Sequence, residues 1–215
     1  MRKIITPKQE KLINFLADSQ IRDLIYFTGG TALSKCYLKH RLSTDIDIFS
    51  SDLIDENTLQ IFIKDLKEKL KIKKIKSIRS MNRNMYMLDD LKFEIVYFPF
   101  KNIDKFSYYK NLKLDSLEDI ATNKILSLYQ RNDPKDVFDI FCILQNTDLS
   151  INTLIANVEK KFSEMISESL LMAKIQSNVK NIEVLEPIVF QKKSLTKARD
   201  YFTQKNKKFL ARILF

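Results

Sequence analysis

Phe27-Thr28-Gly29-Gly30-Thr31-Ala32-Leu33, followed by Thr44-Asp45-Ile46-Asp47-Ile48-Phe49, is the stretch on which the reading of this chain turns. The apolar run Leu24-Ile25-Tyr26-Phe27 reads as a buried strand entering a tight turn at Thr28-Gly29-Gly30. A helix is expected from Thr31 to about Lys39. Asp45 to Phe49 then alternates with period two, as a strand with one polar face does. The local order is strand, glycine turn, helix, strand.

The glycine count sharpens this. A chain of 215 residues at the usual usage of about 7% would hold roughly fifteen. This one has 2, and they are adjacent. Glycine has been kept where a backbone must bend tightly or approach a ligand. Two glycines alone make only a turn, but the helix start near Thr31 also offers free N–H groups suited to a phosphate. Asp45 and Asp47 supply the other half of the chemistry. Two apart on a strand, they point to one face and can share a hard cation, the natural compensation for two like charges. The plain alternative is a solvated strand edge. Ile46, Ile48 and Phe49, with Arg41 and Ser43 just ahead, place the strand in the core of a sheet with its polar face directed at something. Two-metal phosphoryl or nucleotidyl transfer needs a third carboxylate to orient or deprotonate the attacking hydroxyl. Glu94 is the best candidate, in a strand whose Phe93, Ile95 and Tyr97 face the other way; otherwise it pairs with Lys92 or a lysine of the 71–76 stretch.

Outward from this centre, Pro7 to Asp18 reads as a helix capped by Thr6. Asn57 to Leu70 is periodic through Leu59, Phe62, Ile63 and Leu66. Lys71 to Ile78 alternates lysine with isoleucine, as a strand with a basic outer face would. Met85 to Leu88 and Phe93 to Phe98 are two more strands joined at Asp89-Asp90, and Pro99 closes the β-rich half. From Ser116 onward the periodic segments are helical. A soft boundary near Lys110 divides the chain into 1–110, an α/β domain, and 111–215, a helical domain expected to complete an active-site cleft. In the latter, Leu117, Ile120, Ala121, Ile125 and Leu128 form an apolar stripe that contains Lys124. A lysine there either reaches the surface or points at an anion. Asp133-Pro134 caps a helix that carries Asp136 and Asp139 one turn apart. Asp136 either serves a site or favours the positive end of its helix.

Composition sets the class. Hydrophobic residues are 45% and charged residues 30%, as in soluble globular chains. No apolar run approaches the length of about eighteen residues that a membrane span needs, and the basic N-terminus meets Gln9, Glu10 and Lys11 before any signal core, so a cytoplasmic protein is expected. Cys36 and Cys142 have no metal-ligand spacing and read as buried thiols. The net charge is +10. It is concentrated in 64–83 and 191–215, each +7, which leaves the remainder at −4. These are candidate tracks for a polyanion such as RNA, the alternative being a plain solvated surface.

Taken together, the Thr28-Gly29-Gly30-Thr31 turn and His40-Arg41-Leu42-Ser43-Thr44-Asp45-Ile46-Asp47, thirteen residues apart between Thr31 and Asp45, resemble the AbiEii/AbiGii family of nucleotidyltransferase toxins. That family lies in the DNA polymerase β-like nucleotidyltransferase superfamily. Lys124, Arg131, Asp136 and Asp139 match its second block, with Lys135 where the family usually has Arg. A bidentate phosphate contact there would become a point contact. The resemblance implies an α+β fold: a polymerase β-like α/β domain with a mixed sheet, then a C-terminal helical bundle. It implies that Gly29, Gly30 and Thr31, with Arg41 and Ser43 beside them, bind a nucleoside triphosphate, and that Lys124 binds its phosphates. Asp45, Asp47 and Glu94 would hold Mg2+ or Mn2+, and Asp136 would lie near the attacking hydroxyl. Partners implied are the triphosphate, an RNA acceptor such as a tRNA 3′ end, and an antitoxin; no membrane is involved. The alternatives are transfer to a protein or small molecule, or a nucleotide- or RNA-binding module without turnover.

Overall fold

The computed structural model describes residues 3–214. Met1, Arg2 and Phe215, the last being the end of the basic C-terminal segment, lie outside them. The chain divides into two compact units, one through Leu117 and one from Glu118. The division follows Leu117 rather than Lys110 because a further hairpin belongs to the first unit, and Lys110 is its turn residue at φ +57°.

The first unit holds α1 (Pro7–Ala17), β1 (Tyr26–Thr28), α2 (Gly29–Ala32, continued as a π-helix over Leu33–Leu38), β2 (Ile46–Ser50), α3 (Glu56–Leu70), β3 (Ile75–Ser80), β4 (Arg83–Leu88), β5 (Leu91–Tyr97), β6 (Ser107–Tyr109) and β7 (Leu112–Leu114). The strands form one sheet in the order β3-β4-β5-β2-β1-β7-β6. β2 runs parallel to β5, and β1 parallel to β7, while the other neighbours are antiparallel. The sheet is mixed, as expected.

One face of this sheet is apolar: Phe27, Ile46, Ile48, Phe93, Ile95, Tyr86 and Leu88 are buried. α3 closes over it through Phe62, whose ring lies 6.3 Å from Phe93 and 5.5 Å from Phe15 of α1. Strand alternation sends Asp47 and Glu94 to the opposite face. α1 carries the full capping box, with Gln9 N donating to Thr6 Oγ1 and Thr6 N to Gln9 Oε1. The strand expected from Lys71 begins at Ile75, because Lys71 ends α3 in a left-handed cap at φ +54°.

The second unit is helical: α4 (Leu117–Gln130, of which Leu117 belongs to the first unit), α5 (Pro134–Asn146), α6 (Ile151–Phe162), α7 (Glu168–Val179) and α8 (Lys193–Leu214). Ile120, Ile125, Phe138, Leu154, Leu171 and Phe202 are among its core residues. α8 carries much of the basic 191–215 segment and buries Leu195, Ala198 and Phe202. No described helix is long and apolar enough to cross a membrane. The two cysteines form no disulfide; Cys142 is buried, and burial pushes the half-buried Cys36 thiol up to about 12.

Candidate active site

The site begins at the turn between β1 and α2. Gly29 has φ +76°, a left-handed conformation that a side chain disfavours. A Cβ built on it would lie 2.4 Å from Asp47 Oδ2, so the carboxylate occupies the space a side chain would need. A Cβ on Gly30 would lie 2.7 Å from Arg41 Nη2. Each glycine is thus fixed by a residue that the sequence placed in the same site. Register completes the placement: Thr28 pairs with Asp47 across β1 and β2, and Asp47 with Glu94 across β2 and β5.

Further bonds hold the turn and the strand entry. Thr31 Oγ1 donates to the Asp45 carbonyl and shares a second hydrogen bond, 2.7 Å long, with the Ser43 hydroxyl. Gln9 Nε2 donates to the Ser43 carbonyl at 2.9 Å, tying the α1 capping box to the same loop. Thr31 and Arg41 are buried, at 0% and 3% exposure, and Arg41 Nη1 donates to the Leu42 carbonyl. The Thr31 hydroxyl is therefore occupied in holding the loop that aims Asp45. Behind the turn lies a residue missed by sequence reading. Asp115, fully buried, accepts from Thr28 Oγ1 and Asn102 Nδ2, both at 2.7 Å, while Tyr37 OH donates to its carbonyl. A charged residue in the apolar surroundings of Leu112 and Leu114 was the available signal.

Glu94 is buried beneath two cations. Arg83 Nε and Nη2 grip its oxygens at 2.8 and 2.6 Å, and Lys92 Nζ stands 2.7 Å away. Burial pushes its carboxyl up, but these partners outweigh it and hold it below the ordinary value. Lys92 also reaches Asp45 Oδ2 at 3.6 Å. Burial pulls its ammonium down, and Glu94, Asp45 and Asp47 together push it above its ordinary value. Among the described residues no three of His, Cys, Asp or Glu gather as a metal cage. The expected third ligand, Glu94, instead has its oxygens committed to Arg83 and Lys92. Asp45 and Asp47 do fit a hard cation: both offer carboxylate oxygens at the entry of β2, and Gly29 leaves Asp47 the room.

In the helical unit the second group assembles by itself. Lys124 Nζ of α4 lies 2.7 Å from Asp136 and 2.8 Å from Asp139 of α5, and Arg131 Nε is 2.9 Å from Asp136. Asp133 caps α5 by accepting from Lys135 N at 3.0 Å, with Pro134 in the first turn as expected. Asp136 is fully buried with both oxygens bonded. The role this geometry supports is holding Lys124 and Arg131, rather than meeting an attacking hydroxyl. A second pair, Lys161 Nζ to Asp119 at 2.6 Å between α6 and α4, was not read from the sequence.

Comparison with known proteins bears on this arrangement. The family model for the nucleotidyl transferase AbiEii toxin of type IV toxin–antitoxin systems matches residues 12–211. No curated protein is detectably similar in sequence. Among solved structures, JHP933 from Helicobacter pylori is similar at TM-score 0.58 and 17% identity, over 96% of this chain and 93% of its own. A candidate nucleotidyltransferase from H. pylori is similar at TM-score 0.56 and 17% identity, over 94% of each. At these identities the likeness concerns the fold alone, a mixed sheet followed by helices. MenT4, a nucleotidyltransferase toxin from Mycobacterium tuberculosis, aligns over 94% of this chain and 90% of its own at 11% identity, but a TM-score of 0.39 is too distant to argue from.

Proposed function

Because the chain belongs to the AbiEii nucleotidyl transferase toxin family of type IV toxin–antitoxin systems, we propose that it moves a nucleoside monophosphate from a nucleoside triphosphate to the hydroxyl of an RNA 3′ end. The observation that carries this reading is Asp47 lodged against Gly29 and in register with Glu94, which sets carboxylates directly beside a glycine turn. The acceptor oxygen attacks the α-phosphorus, the bond to the bridging oxygen breaks, and pyrophosphate leaves with that oxygen.

Asp45 and Asp47 are the residues that would hold Mg2+ or Mn2+. When bound, such an ion supplies charge neutralisation on the triphosphate and on the transition state. The protein supplies the rest. The Gly29-Gly30 turn lets the triphosphate approach the backbone, with Thr31, Ser43 and Arg41 fixing the loop around it. Glu94 stays ionised at neutral pH through Arg83 and Lys92, and as a fixed anion it holds Lys92 beside Asp45.

The test is incubation with α-phosphate-labelled triphosphates, magnesium, total RNA and cell protein. Labelled RNA is expected from the wild type and not from Asp45→Ala/Asp47→Ala; label in protein instead would reassign the acceptor. As a toxin opposed by a cognate antitoxin, the wild type should arrest growth on expression, and Asp47→Ala should not. Arrest that survives Asp47→Ala would sink the catalytic reading.

A further inference from the structure

The carboxylate face of the sheet does not end at Glu94. Register continues the row Thr28, Asp47, Glu94 into Met85 of β4 and Ile78 of β3, and sets Lys92 beside Met87 and Lys76 in the adjacent row. Directly paired residues share a face, so these side chains project on the same side as Asp47. At about 4.8 Å per strand, Ile78 stands three strands, or about 14 Å, from Asp47. Ile78 is 65% exposed and Met87 36%, which is unusual for large apolar side chains in mid-strand. Beyond them lies a depression of about 680 Å³ where Lys73, Lys74 and Lys76 meet Met87.

The charges along this path are one-sided. Lys73, Lys74 and Lys76 have no ion-pair partner among the described residues. The two carboxylates at the depression are already committed, Asp89 to the N–H groups of Lys73 and Lys74, and Asp90 to Lys8. A row of apolar side chains edged by unpaired lysines, starting at the carboxylates, has the chemistry of a single strand: bases lie on Met85, Met87 and Ile78, and phosphates meet the lysines. An acidic protein would satisfy the lysines, but would not account for the row's continuity with Asp47 and Glu94.

We propose that the exposed face of β3 and β4 is the docking platform for the unpaired 3′-terminal stretch of the acceptor RNA, leading its last hydroxyl to Glu94 and Asp47. This rests on the nucleotidyl-transfer reading above, and the experiment separates the two. Binding of a short fluorescein-labelled single-stranded RNA is followed by anisotropy, without triphosphate or metal, for the wild type and for Lys76→Glu/Ile78→Asp. These are surface positions, and a thermal melt checks the fold. The variant should bind about tenfold more weakly and with a shallower salt dependence. Its affinity for the triphosphate should be unchanged, and an RNA whose 3′ end is sealed in a blunt duplex should bind poorly to both proteins. Unchanged single-strand affinity in the folded variant would overturn the platform, as would a loss confined to an acidic protein probe. If the wild type binds RNA through this face yet labels none, the transfer reading fails and the platform stands.

Discussion

Gly29 and Asp47 share one space: the carboxylate oxygen lies 2.4 Å from where a Cβ on Gly29 would be, and Gly29 itself is at φ +76°. Gly29→Ala therefore carries two separate costs. The left-handed backbone costs an alanine about 1–2 kcal/mol. The collision has to be relieved by moving Asp47, which turns one of the two proposed metal-binding carboxylates. Activity should fall by far more than the melting temperature implies, and Mn2+ affinity should fall with it. At Gly30 the obstacle is the end of the Arg41 side chain, which can move. Gly30→Ala should cost less activity, and equal losses at the two positions would count against the Asp47 argument.

Asp115 supports the same turn from behind, accepting from Thr28 and Asn102 at full burial. Asp115→Asn keeps the shape but offers one acceptor and one donor to two donors. One buried group then loses its partner, at about 1–3 kcal/mol. Because Thr28 directly precedes Gly29, triphosphate affinity should weaken along with stability. Loss of stability with unchanged nucleotide affinity in the folded fraction would confine Asp115 to packing.

How far these relationships were legible depends on the range over which each is encoded. The strand-to-helix step at the glycines, the Asp45-Ile46-Asp47 alternation and the Thr6 and Asp133 caps are local patterns and occur where the sequence placed them, except that the helix starts at Gly29 rather than Thr31, so both glycines lie in its first turn. The hairpin of β6 and β7 has strands of 3 residues, too short to show a period, and its turn uses Lys110 rather than glycine. The π-helical continuation of α2 has no composition cue. Arg83 as the partner of Glu94 requires the β4–β5 register, in which Met85 rather than Arg83 lies opposite. The family resemblance implied Asp136 as a site residue where the residues alone left it open, but only the packing of α4 on α5 reveals that its oxygens are already taken by Lys124 and Arg131.

Lys161 and Asp119 test the same point in the helical unit, since nothing in the sequence joins residues so far apart. Their side chains are 1% and 0% exposed and 2.6 Å apart. Removing either partner leaves a buried charge poorly compensated, and Lys161→Met or Asp119→Leu alone should destabilise by about 3–5 kcal/mol in urea unfolding. The double variant Asp119→Leu/Lys161→Met should recover most of that loss, because two apolar groups replace two charges. Additive losses in the cycle would mean that the pair is not coupled as its geometry implies.

Asp136 gives a pH dependence whose sign can be worked out. Burial would push its carboxyl up, but the charge of Lys124 and the hydrogen bond from Arg131 prevail, and its pKa in the folded protein lies below the ordinary value. A carboxyl depressed on folding binds protons more readily when unfolded. Its contribution is fully present above the ordinary carboxylate value of about 4 and is lost as pH falls through the depressed folded value. Glu94 acts with the same sign in the first unit. Stability of the wild type should therefore drop on acidification below about pH 4. Asp136→Asn should be less stable at neutral pH and lose less on acidification, so that the two curves converge at the acid end. Urea midpoints measured for both proteins across this range decide it. Curves that stay parallel would show that Asp136 does not carry the titration that its contacts with Lys124 and Arg131 require.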